Sequence, residues 1–259
     1  RQPDAHFLYE ARYRGAKVVA VCPDFSPSTL HADRWLNVRL GTDAALALGM
    51  AHVIVDEGLH DVGYIKEQTD LPFLVRADNG RFLRECDVVE GGADDQFYFW
   101  NAAKKRKQLA TGTWGSEVMT IALDAETDPA LEGTHKVRLL DGRQVRVRPV
   151  FELLKAHLAE YTPERAADIT GVPAKNIRVV AREMAKAKSS MIFASWGACK
   201  HYHSDLFQRG MVYLMALTGM SGGKPGSGIK VSTWWPFPGF ALIGTGEELQ
   251  TQPRMEVPM

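Results

Sequence analysis

The sequence predicts a mixed α/β protein: two α/β half-units, each a parallel sheet with flanking helices, separated by an irregular insertion with a β-hairpin. Three observations lead there. The apolar runs "AKVVAV" (Ala16–Val21) and "SMIFAS" (Ser190–Ser195) have strand length and no alternation, the pattern of strands buried in a parallel sheet. Each run lies beside capped, helix-patterned stretches. Between them, from Leu59 to about Gly133, apolar periodicity weakens while Gly, Asp and Thr accumulate.

The elements follow in order. "PDAHFLYEARYRG" (Pro3–Gly15) has helix character, with Pro3 near its start and Gly15 suited to a left-handed C-terminal cap. The first apolar strand stops at "CPDF" (Cys22–Phe25), where Pro23 ends pairing. A second strand, "RWLNV" (Arg34–Val38), leads through "GTD" to the helix "AALALGMAHVIVDEG", which Thr42 or Asp43 can cap and Gly58 closes. "HKVRLLDGRQVRVRP" reads as a hairpin around Asp141-Gly142, a pair suited to a type I′ turn. Helices return with "VFELLKAHLAEY", then with "TPERAADITG" (Thr162 as N-cap, Gly171 past the end), and again over Ala174–Ala187. After the second strand come an apolar helix, "DLFQRGMVYLMALTG", and the Gly-rich "MSGGKPGSGIKVSTWW". The resulting segments are 1–58, 59–149 and 150–259, the first and last being Rossmann-like half-units.

Composition narrows the function classes. A chain of 259 residues, 45% hydrophobic and 24% charged, has enough apolar residues for a buried core. Formal net charge is zero, and "KKRK" (Lys104–Lys107) is the densest basic run, so the sequence predicts no nucleic-acid partner. No apolar run reaches the length of a membrane span, so no direct membrane insertion is expected of this stretch. Three widely spaced cysteines form neither a disulfide framework nor a CxxC zinc pair. The chain begins with Arg1 inside helix-patterned sequence, which reads as a piece of a longer polypeptide.

In open α/β sheets, ligands bind beyond the carboxyl ends of the strands, so the loops there are the candidates. Asp24 in "CPDF" can accept hydrogen bonds from ribose hydroxyls or a guanine edge, though a loop aspartate also makes local turns. Gly41 in "GTD" allows close backbone approach, and the helix start beyond offers free N–H groups to an anion; capping alone would produce the same residues. There is no GxGxxG and no GxxxxGK[ST], which argues against an ordinary nicotinamide site or P-loop.

"SWGACKHYHSD" places Cys199, His201 and His203 at alternate positions. In an extended segment these would point the same way, and zinc accepts both residue types. Yet a structural zinc site wants four ligands, Lys200 adds positive charge, and no second ligand pair waits elsewhere. A polar cradle for an anionic cofactor is the preferred reading, and no metal ligand or catalytic residue is assigned. A nucleophilic role for Cys199 lacks an oxyanion-hole motif. The Gly222–Gly228 stretch is more often a tight connection than a phosphate cradle.

Together the motifs resemble a known family. "PDAHFLYEARYRGAKVVAVCPDFSPSTLHADRWLNVRLGTDAALALGMAHVI" and "WGACKHYHSDLFQRGMVYLMALTGMSGGKPGSG" resemble two cofactor segments of molybdopterin oxidoreductase catalytic subunits, the dimethyl sulfoxide reductase family. The branch they resemble holds the nitrate, selenate and (per)chlorate reductases, dimethyl sulfide dehydrogenase and ethylbenzene dehydrogenase.

The resemblance implies a molybdenum bis(pyranopterin guanine dinucleotide) cofactor, that is, bis(molybdopterin guanine dinucleotide). By position, Cys22, Pro23, Asp24 and Phe25 would line a guanosine site with Gly41, Thr42 and Asp43 beside it. Trp196, Gly197, Cys199, Lys200 and His203 would lie along the other segment. The family's molybdenum ligand and 4Fe-4S cysteines lie upstream of "PDAH", so a 4Fe-4S cluster is expected in the full subunit but not on this stretch, which alone would be inactive. The resemblance further implies an iron–sulfur electron-transfer subunit as partner, a haem subunit as another, a small-molecule substrate, and a periplasmic location, with the cytoplasmic face of the membrane as the alternative. "EGLHDVGYIKEQTDLPFLVR" and "ACKHYHSDL" look closer to the ethylbenzene-dehydrogenase-type hydroxylases, so oxygen-independent hydroxylation of a hydrocarbon is the first expected reaction and reduction of an oxyanion the second. A stand-alone nucleotide-binding module is the reading from another class.

Overall fold

The computed structural model describes residues 2–111, 120–194, 197, 200–221 and 223–231. Helix α1 (Gln2–Tyr13) ends as its sequence predicts, with Gly15 in the left-handed region at φ +94° and Ala16 N–H donating back to the Ala11 carbonyl at 3.0 Å. Strand β1 (Val19–Val21) pairs in parallel with β2 (Arg34–Leu36) across a connection that holds the one-turn helix α2 (Pro27–Leu30). The sequence reading passed over α2, although Pro27 at its first position is a recognised helix start.

The expectation that these strands are buried needs correction. Val19 packs on the main core and Leu36 is fully buried, but Val21 is 45% exposed. In the other half, β8 (Met191–Ala194) pairs in parallel with β9 (Gly228–Val231), and Met191 and Phe193 are open to solvent. A non-alternating apolar run marks a strand flanked by chain on both faces. Among the described residues, each parallel pair stands as a separate two-stranded sheet, and Met191 and Phe193 of β8 are about half exposed. The α/β class therefore holds, with a parallel pair in each half.

Helix α3 (Asp43–Asp56) is the centre of the molecule. Its buried residues, among them Leu46, Ala47, Met50, Val53 and Ile54, run all around it, and a helix apolar on every side belongs inside a core. Around it pack α5 (Val150–Leu158), α6 (Pro163–Thr170), α7 (Ala174–Lys186) and α8 (Ser204–Leu217). Small residues set the closest approaches: a Cβ on Gly49 would sit 2.5 Å from that of Ala166 in α6. Gly58 (φ +63°) ends α3, with Leu59 N–H donating to the Ile54 carbonyl at 2.8 Å.

The middle segment is more regular than its composition suggests. Helix α4 (Val62–Gln68) starts at Asp61, whose carboxylate accepts the Tyr64 N–H at 3.0 Å. Strands β3 (Leu74–Arg76), β6 (His135–Arg138) and β7 (Gln144–Pro149) form an antiparallel sheet in the order β3-β7-β6, and β4 (Tyr98–Asn101) pairs with β5 (Arg106–Leu109). This segment gathers its own core around Leu74, Leu83, Val137, Val145 and Val147. The β6–β7 hairpin is present, but its turn is not type I′. That turn needs positive φ at both central residues, and only Gly142 has it, at +85°. The connection is longer, closed by Leu139 N–H donating to the Arg143 carbonyl at 2.8 Å.

Candidate functional site

The Cys22–Phe25 loop leaves the carboxyl end of β1. Cys22 N–H donates to the Leu36 carbonyl at 3.2 Å, extending the pairing by one bond before Pro23 stops it. The Cys22 thiol lies 3.3 Å from both the Asp24 carbonyl and the Thr29 hydroxyl, so it is used locally. Trp35 Nε1–H donates to the Cys22 carbonyl at 2.9 Å, and the Phe25 ring meets the Trp35 ring edge-on at 5.3 Å. Phe25 is exposed, as is Asp24, whose carboxylate makes no hydrogen bond or ion pair among the described residues. An aromatic platform beside an unpartnered acceptor suits a planar base with N–H edges.

Gly41 takes φ +76°, a conformation that glycine adopts without strain, and turns the chain into α3. Thr42 takes the N-cap position, one of the two residues the sequence allowed there, but its side chain makes no cap. Its hydroxyl donates backwards to the Arg39 carbonyl at 2.7 Å, so the first N–H groups of α3 gain no bond from it. Asp43 is the first helical residue. Burial holds its carboxyl above the ordinary range, against the opposing pull of its own backbone N–H and of His201.

His201 belongs to the second loop. A small pocket joins the two: Gly41, Asp43 and Ala44 on one side, His201 to Ser204 and Phe207 on the other. Two fourteen-residue helices, α3 and α8, therefore begin at one place, and the positive ends of their dipoles favour an anion there. Asp43, whose carboxyl burial holds above the ordinary range, can pair with a hydroxyl or a base N–H. His203 is the N-cap of α8 with φ +58°, and it offers no side-chain cap. A non-glycine residue rarely takes this conformation. The turn also breaks the alternation between His201 and His203 on which a shared face depended. Among the described residues no group of three His, Cys, Asp or Glu side chains is placed to hold a metal ion.

The structure thus brings Gly41 and Asp43 to His203, and it adds His201, Tyr202, Ser204 and Phe207, which sequence reasoning did not select. His201 was the one legible member, from its place in the Cys-x-His-x-His pattern. Tyr202, 88% exposed with its ring 4.0 Å from that of His203, gives no periodic signal. Gly197 and Lys200 lie in the same connection but outside the pocket lining, and Cys22 to Phe25 form a separate cluster at the end of β1. Trp196 and Cys199 lie outside the described residues, as does Gly222. The Gly-rich connection is structural where it is described: Lys224 Nζ donates to the Thr218 carbonyl at 2.8 Å and lies 3.8 Å from Asp61, and Tyr64 O–H donates to the Ser221 carbonyl.

Comparison with known proteins gives concordant results. The profile of the family described as Molybdopterin oxidoreductase matches residues 2–241. Perchlorate reductase subunit alpha of Dechloromonas aromatica is 46% identical, over 95% of this chain and 29% of that protein. Chlorate reductase subunit alpha of Ideonella dechloratans is 40% identical (95% and 26%), and dimethylsulfide dehydrogenase subunit alpha of Rhodovulum sulfidophilum 39% (90% and 25%). The chain thus spans between a quarter and a third of the length of these relatives. Acetylene hydratase from Pelobacter acetylenicus shares the fold, with a TM-score of 0.50 and 22% identity over 85% of this chain and 19% of that one.

Proposed function

This chain belongs to the molybdopterin oxidoreductase family, and on that premise we propose that it is the part of a molybdenum enzyme's catalytic subunit that grips the guanine dinucleotide arms of a bis(pyranopterin guanine dinucleotide) cofactor. The observation that carries this reading is the meeting of the α3 and α8 starts in one pocket. There the helix N–H groups hold a phosphate, and Asp43 with His201 and His203 takes the neighbouring hydroxyls and heteroatoms. At the end of β1, Asp24 accepts from a guanine edge while Phe25 and Trp35 cover the ring. When bound, the molybdenum supplies oxygen-atom and electron exchange with substrate; this chain's own residues bind and orient the carrier of that chemistry. Segments 1–58 and 150–259 carry the two grips, and 59–149 is an insertion between them.

Reduction of an oxyanion is the first reading of the reaction, supported by the 46% identity to a perchlorate reductase subunit. Hydroxylation of a hydrocarbon is the second, supported by the "EGLHDVGYIKEQTDLPFLVR" stretch. The order preferred from sequence motifs alone is thereby reversed. A 4Fe-4S cluster elsewhere in the subunit, an iron–sulfur partner subunit that passes electrons, and a periplasmic site complete the proposal. Among the described residues no helix is long and apolar enough to cross a membrane.

The test is the metal and nucleotide content of the native full-length protein. Molybdenum with about two guanosine monophosphates released per metal by acid is expected; zinc without molybdenum or nucleotide overturns the reading. Turnover with perchlorate and nitrate against ethylbenzene then orders the two reactions.

A further inference from the structure

The hairpin β6–β7 turns a cationic face to solvent. Register sets Lys136 directly opposite Arg146, with Arg138 and Arg148 two residues further along their strands on the same side. Neighbouring strands lie about 4.8 Å apart and same-face residues about 7 Å apart. All four charges thus fall within roughly one Debye length of a neighbour at physiological salt. Like charges directly opposite destabilise a strand pair. Carboxylates on the adjoining segments reach only one of the four, Arg148. Glu132 is held by Lys155 and Asp141 by Arg143, while Glu152 accepts from Gly133 N–H and reaches only Arg148, at 3.9 Å. Lys136, Arg138 and Arg146 make no ion pair among the described residues.

Basic residues on an edge strand are an ordinary guard against strand pairing, and among the described residues β6 is an edge. That account covers Lys136 and Arg138. It does not reach Arg146 and Arg148, which stand on the central strand β7, where there is no edge to guard. On a chain of zero formal net charge the cluster is local, so it reflects no general excess of base.

We propose that this face docks a carboxylate-rich surface of another protein chain, which supplies the charges the hairpin lacks. The inference rests on the proposed assembly with partner subunits and names the surface used. Four cations on a patch this small match a few carboxylates on a rigid surface. A duplex-binding track engages roughly six to ten phosphates.

The experiment is zero-length carbodiimide coupling of the native purified enzyme, which joins an amine only to a carboxyl in contact with it, followed by peptide mass spectrometry. A link from Lys136 to Asp or Glu of a second chain is expected. Lys136→Glu places a carboxylate across from Arg146, so the hairpin keeps or gains thermal stability while the partner is released about tenfold more readily, with the difference fading at high salt. A preparation with no second chain overturns both the assembly and the docking. A second chain present without a Lys136 link, a link within the same polypeptide, or unchanged partner retention in the variant overturns the docking alone. So does a variant whose only loss is binding to a DNA duplex or to phosphatidylglycerol vesicles.

Discussion

A methyl group on Gly210 of α8 would come within 2.8 Å of the Ala47 Cβ on α3, closer than real Cβ contacts allow. The same holds between Gly49 and Ala166, where the distance would be 2.5 Å. The helices that begin at the candidate site are therefore held at a spacing set by glycine, and pocket geometry depends on it.

Gly49→Ala and Gly210→Ala are each expected to destabilise the protein. Overpacking a close contact costs about 1–3 kcal/mol, against which alanine's better helix propensity returns up to about 1 kcal/mol. The overpacking term wins because the opposing atom is a Cβ on a packed helix and cannot rotate away. Gly63→Ala in α4 is the control: its nearest neighbour would be 3.7 Å away, so that variant gains up to about 1 kcal/mol. Thermal denaturation of the three variants side by side measures the difference.

Asp43 and Asp24 separate binding from stability. A carboxyl whose folded pKa is raised by burial binds more protons folded than unfolded between the two values. Stability therefore falls as pH rises through that window, and the loss persists at neutral pH. Asp43→Asn should stabilise the cofactor-free protein at neutral pH, and this gain should vanish as pH falls below the ordinary carboxylate range. The same substitution should lower nucleotide content. Asp24→Ala, at an exposed carboxylate with no partner among the described residues, should leave unfolding unchanged while weakening cofactor retention roughly tenfold to a hundredfold, the range for losing a hydrogen bond to a charged group. Unchanged guanosine monophosphate in both variants would remove these two residues from the site.

Asp61 ties two distant parts of the chain together. It caps α4, its N–H donates to the Leu217 carbonyl at 2.8 Å, and Lys224 approaches its carboxylate. Asp61→Ala should cost about 1–2 kcal/mol through the lost cap, read as a lowered urea midpoint. Asp61→Asn, which keeps the cap, should cost far less.

The local grammar of the chain was legible in its sequence. Gly15, Gly58 and Gly171 end their helices in left-handed conformations, and Thr162 caps α6 by accepting the Arg165 N–H at 3.2 Å. These features are settled within a few residues, by backbone sterics and nearby donors. The short strands β3 to β5 were not legible: β3 owes its form to β7, far along the chain, while β4 and β5 pair with each other across a short loop that carries no turn signal. The middle segment's own core thus went unseen behind a polar composition.

The sequence by itself determined the α/β class, the order of the main elements and the two loops that end parallel strands. Tertiary structure alone decided that Asp43 and His201 line one pocket, that Gly49 meets Ala166 and that Gly210 meets Ala47. Each of these depends on how far one helix can approach another. Those quantities come from packing between residues distant in the chain, and no local run of residues encodes them.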